Sequence, residues 1–505
     1  MAAKDMSVGK PLKVLFSFAL PMIVSVLFQQ FYNIADSLIA GNFINDDGIA
    51  LAAVNAAYPV TVVFIAVGNG FGIGGGVVIS RIFGAKDYKR TKTANSTALF
   101  NIILFAIIFT VLGIFTCKPL LSLMNSKDLG ESVFSQSVDY LNIYIYGLSF
   151  LFLYNVVSSS FQALGNSKTP LFLLIFSTLF NVAVDIIFVK YFDMGVKGLA
   201  WGTFLAQGIA SVISLIILLV NVSKLKRQSD VDDISASLTK DGNDVATCES
   251  DIKETDSTIG NLNADDINAA TASTKNKCLE NNLFSFATWK LIMLMSLPSI
   301  LQNSTVSIGQ LFVQGLVNSF GNANLVAAYG SAFKINYIII SIFLTISNAM
   351  ATFTSQNVGA KRIDRAKEGL KGGLISVIAI ALLSTAIYLI FAKQLVGVFI
   401  NHSNKEIIDI GSQFLYVLAP FYVVVCIKII FDGFIRGAGD MAGFTTSTMT
   451  DLIIRVGLSF IFVKCFDLSY VSIWWSWPIG WVVGAMISII FFLSKRWQRT
   501  ANKNL

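Results

Sequence analysis

Twelve long apolar stretches restrict what this chain can fold into more than any other feature. They fall near residues 14–40, 52–80, 94–116, 138–163, 169–191 and 196–221, and, after a polar gap, near 287–318, 325–355, 370–392, 412–436, 443–466 and 471–494. A helix rising about 1.5 Å per residue needs about 20 apolar residues to cross a hydrocarbon core of roughly 30 Å, and every stretch exceeds that. Hydrophobic residues make up 54% of the chain and charged residues 13%, about half the charge of an ordinary soluble domain. The expected fold is an all-α membrane protein of twelve transmembrane helices. The net charge of +7 therefore informs by its placement and is no argument for nucleic-acid binding.

That placement gives an orientation. Arg81, Lys86, Lys89, Arg90 and Lys92 follow the second stretch, and Lys361, Arg362, Arg365, Lys367 and Lys371 follow the eighth. Lys4, Lys10 and Lys13 at the head and Lys495, Arg496, Arg499 and Lys503 in the tail fall on the same side if the helices alternate. Basic residues favour the cytoplasmic face, so both termini are predicted to be cytoplasmic, with the protein in the cell membrane. The gap, residues 222–286, is polar, acidic and almost without aromatics. It cannot bury enough apolar surface to offset the entropy of ordering, and is read as a disordered cytoplasmic linker acting as a passive tether.

The two halves repeat each other. SFALPMI around Pro21 matches MSLPSIL around Pro298; GAKDYKRTK at 84–92 matches GAKRIDRAK at 359–367; IIFVKYFD at 186–193 matches FIFVKCFD at 460–467. The offset stays at 274–277 residues. Six helices per half keep both halves in the same orientation, as in transporters built from parallel repeats. The predicted organisation is a six-helix lobe at 1–221, the linker at 222–286, a second six-helix lobe at 287–494 and a basic tail at 495–505, with substrate between the lobes and alternating access.

Polar side chains at helical spacing mark the interior. In the first stretch Ser25, Gln29, Asn33 and Asp36 share one face, one turn beyond Pro21, which removes a backbone hydrogen bond and permits a kink. Asn155, Ser159 and Gln162 line the fourth, Ser177, Asn181 and Asp185 the fifth, and Thr203, Gln207, Ser211 and Ser214 the sixth. Asp36 and Asp185 stand in this lobe with no basic residue in its interior. Intramembrane acids are costly and mark ion paths, and two close carboxyls suit proton exchange. With Asn155, Asn181 and Thr203 adding oxygens, the same group could hold sodium. By the repeat offset Asp36 falls on Val313 and Asp185 on Ser459, so the acids have no copies in the second half. That half carries Lys334, Lys428, Asp432, Asp451 and Arg455, with Asp432–Arg436 and Asp451–Arg455 at self-neutralising i,i+4 spacings. Gln29, Asn33 and Gln207 from the first half, with Gln310, Lys334 and Tyr337 from the second, are the expected lining of a substrate cavity.

Several other readings are set aside. The run GNGFGIGGG at 68–76 lies in an apolar segment without a following GK[ST], and reads as close helix packing. Five cysteines show no metal spacing, and the one histidine, His402, supports neither a metal site nor a catalytic triad. The chain is expected to be no enzyme and to need no cofactor or resident metal.

The residues ALPMIVSVLFQQFYNIADSLIAG, SRIFGAKDYKR, LGNSKTPLFLLIFSTLFNVAVDIIFV, SLPSILQN, SQNVGAKR and FIRGAGD resemble the multidrug and toxic compound extrusion (MATE) family across all twelve segments. The resemblance implies a V-shaped pair of lobes and export of small organic, often cationic, compounds in exchange for H+ or Na+. It places the family's cation site on Asp36, Asp185, Asn155, Asn181 and Thr203, and its hinge proline on Pro21. The family's alternative sodium site in the tenth segment is not matched; Lys428 and its neighbours stand there. A monomer contacting membrane lipid and a small-molecule substrate, with no nucleic-acid partner, is expected. The alternative is a flippase for a lipid-linked precursor on the same general fold, for which Lys334 and Lys428 would supply positive charge.

Overall fold

The structure, a computed structural model, describes residues 4–44, 49–123, 130–240, 283–398 and 404–502. His402 and most of the predicted linker lie outside the described residues. All regular structure among them is helical: α1 (Pro11–Asn42), α2 (Ile49–Gly84), α3 (Tyr88–Leu123), α4 (Glu131–Tyr146), α5 (Leu148–Ala163), α6 (Lys168–Ile186) and α7 (Gly195–Lys240) form the first half. The second has α8 (Phe286–Asn318), α9 (Ala323–Gly359), α10 (Ile363–Val398), α11 (Lys405–Leu418), α12 (Tyr422–Gly437), α13 (Met441–Phe460), α14 (Val471–Leu493) and the short α15 (Arg496–Asn502).

Among the described residues ten helical spans are long and apolar enough to cross a membrane; α4 and α5, bent by 49° at Gly147, make an eleventh. The twelfth expected crossing is α13 with the π-helical turn after it. It carries Thr445, Thr446, Ser447, Thr448, Thr450, Asp451 and Arg455 and packs between α8 and α14, with Ile453 and Ile461 exposed on its outer side. On the outside, α3 exposes Phe100, Ile103, Ile107, Val111 and Phe115, a stripe at the i,i+3/i+4 spacing that faces hydrocarbon. Helix α7 runs to Lys240, past the expected boundary at 221. Residues 222–240 contain neither Pro nor Gly, and extending an existing helix needs no new nucleus.

The repeat is written in the backbone as well as the sequence. A π-helical turn at Ile187–Tyr191 recurs at Ile461–Cys465. Left-handed residues recur in pairs: Lys86 (φ 59°) with Lys361 (58°), and Asp193 (49°) with Asp467 (48°).

The halves also exchange ends. Val14, Leu15, Phe18, Ala19 and Met22 of α1 belong to the hydrophobic core of the second half, together with Phe353, Leu370 and Ile430. Ile292 and Met295 of α8 belong to the core of the first, with Phe71 and Phe152. Farther along, Ile39 and Ala40 of α1 cluster with Val189 and Leu199 of the first half, and Val313 and Leu316 of α8 join the second core, so Pro21 and Pro298 fall in the stretch over which each helix passes from one half to the other. Ser25 Oγ donates to the Pro21 carbonyl at 2.9 Å.

The glycine run serves packing on two faces. Gly68, Gly72 and Gly76 lie against Phe152, Asn155 and Ser159 of α5, while Gly70 and Gly74 lie against the backbone of Ile300 and Ser296 in α8. Beyond this contact the halves are joined at one end of the bundle. Ser80 Oγ donates to the Thr352 carbonyl (3.1 Å), and Ser355 Oγ to the Val77 carbonyl (2.7 Å). Both termini and the basic loops meet at that end.

Candidate functional site

Asp36 and Asp185 are brought together. Asp36 lies in the last turns of α1; Asp185 ends α6 immediately before the π-helical turn and is fully buried. Their carboxyl groups interact directly. Asn181, one turn before Asp185, donates Nδ2 to Asp185 Oδ1 at 3.3 Å. Tyr32, one turn before Asp36, extends its hydroxyl to Asp36 and shares a 3.1 Å hydrogen bond with Thr203 Oγ1 of α7. Tyr140 of α4 stands within electrostatic reach of both acids. Thr203, Asn181 and Asp185 are all buried. The groups acting on the acids are these neighbours and each other; no basic side chain is among them.

Gly202 makes the room. A Cβ there would overlap Asp185 Oδ1, so α7 approaches α6 at the acid only because this position has no side chain. The result is a pocket of oxygens: Asp36 Oδ1, Asn181 Oδ1 and Asp185 Oδ2 are buried without a hydrogen-bond partner. Two carboxyls in contact repel if both are charged, and burial raises the cost of each charge. A proton shared between them, or a hard cation, which prefers oxygen ligands, removes that cost. Four of the five residues expected at the cation site, Asp36, Asp185, Asn181 and Thr203, are thus in one cluster. Asn155 is not hydrogen-bonded to it: its Nδ2 is buried without a partner, against Gly68 of α2.

The expected cavity residues are more dispersed. Tyr337 of α9 lies within electrostatic reach of Tyr58 of α2 in the other half, and the two are 40% and 56% exposed. Gln29 and Lys334 are exposed, and Gln207 and Gln310 half-buried; the side chain of Asn33 lies outside the described residues.

The second half holds a different cluster. Lys428 bridges two acids, with Nζ 2.9 Å from Asp432 Oδ2 and 3.4 Å from Asp451 Oδ2. Ser488 Oγ donates to Asp432 Oδ1 at 2.6 Å. Neither expected pair, Asp432–Arg436 or Asp451–Arg455, is a close ion pair among the described residues, although Asp432 stays within electrostatic reach of Arg436. Arg436 instead donates to Asn348 Oδ1 at 2.7 Å and lies over Phe444, and Arg455 lies 4.2 Å over the Trp477 ring. The lysine stem reaches across to α13 because Gly480 and Gly484 of α14 leave the space that Asp451 and Lys428 fill. Helical spacing alone favoured the arginines; the tertiary neighbours decided otherwise.

Sequence reasoning missed Tyr32, Tyr140, Gly202 and Tyr58. Tyr32 had a signal, its i,i+4 spacing to Asp36; Gly202 had only its place beside Thr203.

Comparison with known proteins agrees with this architecture. The MatE family model matches residues 21–187 and 298–461, one match per half. The chain is 25% identical to a Bacillus subtilis protein described as the probable multidrug resistance protein YpnP, over 87% of this chain and 86% of that one. It is 22% identical to the multidrug export protein MepA of Staphylococcus aureus, over 96% and 94%. Among solved structures, a MOP superfamily transporter from Pyrococcus furiosus superimposes with a TM-score of 0.80 at 20% identity, covering both chains fully. A MATE transporter solved in complex with MaL6 gives 0.80 at 21% identity, also over both full chains.

Proposed function

Since the chain belongs to the MATE family of multi-pass membrane transporters, we propose that it exports small organic compounds in exchange for H+ or Na+, by alternating access between its two lobes. One observation carries the coupling step: the directly interacting pair Asp36–Asp185, buried with unpartnered oxygens and no basic neighbour. The reading orients the end that holds both termini and the basic loops toward the cytoplasm, and puts the substrate between the lobes, near Tyr58 and Tyr337. Entry of a cation between Asp36 and Asp185 relieves their repulsion and draws α1 toward α6. Because α1 packs on the second half before Pro21 and on Val189 and Leu199 of the first half at its far end, that movement is transmitted to the lobe interface. One proton moving through about 100 mV supplies about 2.3 kcal/mol, and one pH unit adds about 1.4 kcal/mol. The sum supports a gradient of several hundredfold for a neutral substrate at one-to-one exchange.

Efflux of a fluorescent organic cation from proteoliposomes, under an imposed pH gradient or an imposed sodium gradient, tests this. Transport driven by one ion and not by the other is expected. Transport driven by neither, with folded protein, overturns the proposal.

Gly202→Ala gives a second expected result. The added methyl group meets Asp185 Oδ1, so the carboxyl must shift from its place in the pair, and ion-driven efflux should fall by more than about tenfold, the scale of a misplaced reacting group. Gly208→Ala, six residues on, would place its Cβ 3.4 Å from the Phe150 ring, an ordinary contact, and should transport normally. Equal rates in both variants would remove the acid pair from the mechanism.

A further inference from the structure

The two ends of the chain occupy equivalent niches in the two halves, and both niches lie on the lobe interface. Residues 4–9 run as a strap between the lobes. Lys4 N donates to the Leu164 carbonyl of the first half at 2.9 Å. Met6 is fully buried in the core of the second half, and its N–H donates to Gln356 Oε1 at 2.9 Å. Gln356 Nε2 turns back to the Ala163 carbonyl at 2.8 Å, so one buried side chain holds the strap and the first lobe together. Arg362 donates to the Ser7 carbonyl (2.8 Å), and Arg365 to the carbonyls of Gly9 and Met6.

The other end does the same from the opposite side. Trp497 of α15 is buried against Phe492 and Phe434 of the second half, and Arg496 pairs with Asp440 at 3.5 Å. The final carbonyls of α15, Thr500 and Ala501, accept hydrogen bonds from Arg81 of the first half. Arg81 and Gln356 are repeat equivalents, 275 residues apart. So are Gly165 (φ 77°) and Gly439 (φ 89°), which line the two niches: a Cβ at Gly165 would overlap the Lys4 carbonyl, and one at Gly439 would lie 3.3 Å from Arg81 Nη1 and 3.5 Å from Thr500.

We propose that residues 4–9 and α15 form a paired latch that holds the lobes shut at the end carrying the termini, and that opening of that end requires the release of both. The inference rests on the alternating-access reading. On the side of the strap, opening breaks two hydrogen bonds that cross the lobes, from Gln356 Nε2 to the Ala163 carbonyl and from Lys4 N to the Leu164 carbonyl, and Gln356 also anchors the strap through Met6 N. On the other side it strips Arg81 from helix-end carbonyls that have no intrahelical donor. The latch sets the balance between the two faces of the transporter without touching the acid pair.

Amide hydrogen exchange of the full-length protein in lipid nanodiscs tests this, with a deletion of residues 2–9 and, as the variant that leaves the chain intact, Gln356→Ala. Loss of two hydrogen bonds corresponds to roughly tenfold in the opening equilibrium. Exchange in peptides covering 77–84 and 352–359 should therefore accelerate about tenfold in Gln356→Ala and more in the deletion, with peptides from α3 and α10 unchanged. Exchange within twofold of wild type in the intact-chain variant overturns the latch. Failure of the transport reading has a different signature: wild-type exchange in the same peptides would not respond to organic cation or coupling ion.

Discussion

Asp36→Asn is expected to reduce the accumulation ratio of an exported neutral compound from several hundredfold to near one under a gradient of about 1 pH unit and about 100 mV, while leaving the protein at least as stable. The two halves of that expectation come from the same geometry. Asp36 and Asp185 interact directly, and no basic group among the described residues acts on them; an amide at position 36 keeps the size and the hydrogen-bonding capacity of the side chain while removing one charge. It therefore removes the repulsion that a cation would otherwise relieve, and with it the reason for a cation to enter. Asp185→Asn should behave alike, because an asparagine Oδ1 still accepts from Asn181 Nδ2. A pair that only held the lobe together would give the opposite pattern, with thermal stability falling and transport surviving in whatever folded. Gradient-driven efflux in proteoliposomes and thermal unfolding in detergent, on the same two variants, separate these cases. Tyr32→Phe is the graded control. It removes the hydroxyl between Asp36 and Thr203 but neither acid, and should slow exchange without uncoupling it.

How much of this was legible in the sequence depends on the range of the physics involved. The apolar stretches and the repeat follow from hydrophobicity and spacing along one helix, and eleven of the twelve expected crossings are apolar enough among the described residues. α13 reads as an apolar stretch at 443–466, but its Thr, Ser, Asp and Arg content leaves it less apolar than the other crossings, and the helix packs against α8 and α14. Asp36 and Asp185 were found because an unpaired acid in an apolar helix is costly wherever the helix goes. That Tyr32 joins them, and that Gly202 lets α7 close on Asp185, depends on which helices meet, and spacing within one helix carries no record of that. The same limit explains the second half. Asp432–Arg436 and Asp451–Arg455 are sound local pairs, but Lys428 reaches two acids on two helices at once, and a bridge outcompetes two separate contacts. The exchange of helix ends between the cores was also out of reach. The two prolines were visible, but not that each marks a passage from one lobe to the other.

Lys428→Met should be the most destabilising single change in the second half, by about 3–5 kcal/mol, the cost of removing one partner from a buried ion pair. Lys428, Asp432 and Asp451 are each buried, and Nζ is the cation that meets both carboxylates. Without it, Asp432 keeps the Ser488 hydroxyl, while Asp451, whose Oδ1 has no hydrogen-bond partner, loses the ion pair it makes with Lys428. The arginines do not substitute: Arg436 is committed to Asn348 and Arg455 to the face of Trp477. The triple change Lys428→Met, Asp432→Asn, Asp451→Asn removes the stranded charges along with the lysine and should recover most of the loss, because replacing a whole buried ion group costs far less than halving one. Denaturant unfolding of both variants in detergent measures the difference. A single variant as stable as wild type would mean that water or another cation reaches the cluster. Recovery in the triple variant with efflux intact would assign these residues to the architecture of the second lobe and leave ion coupling to the first.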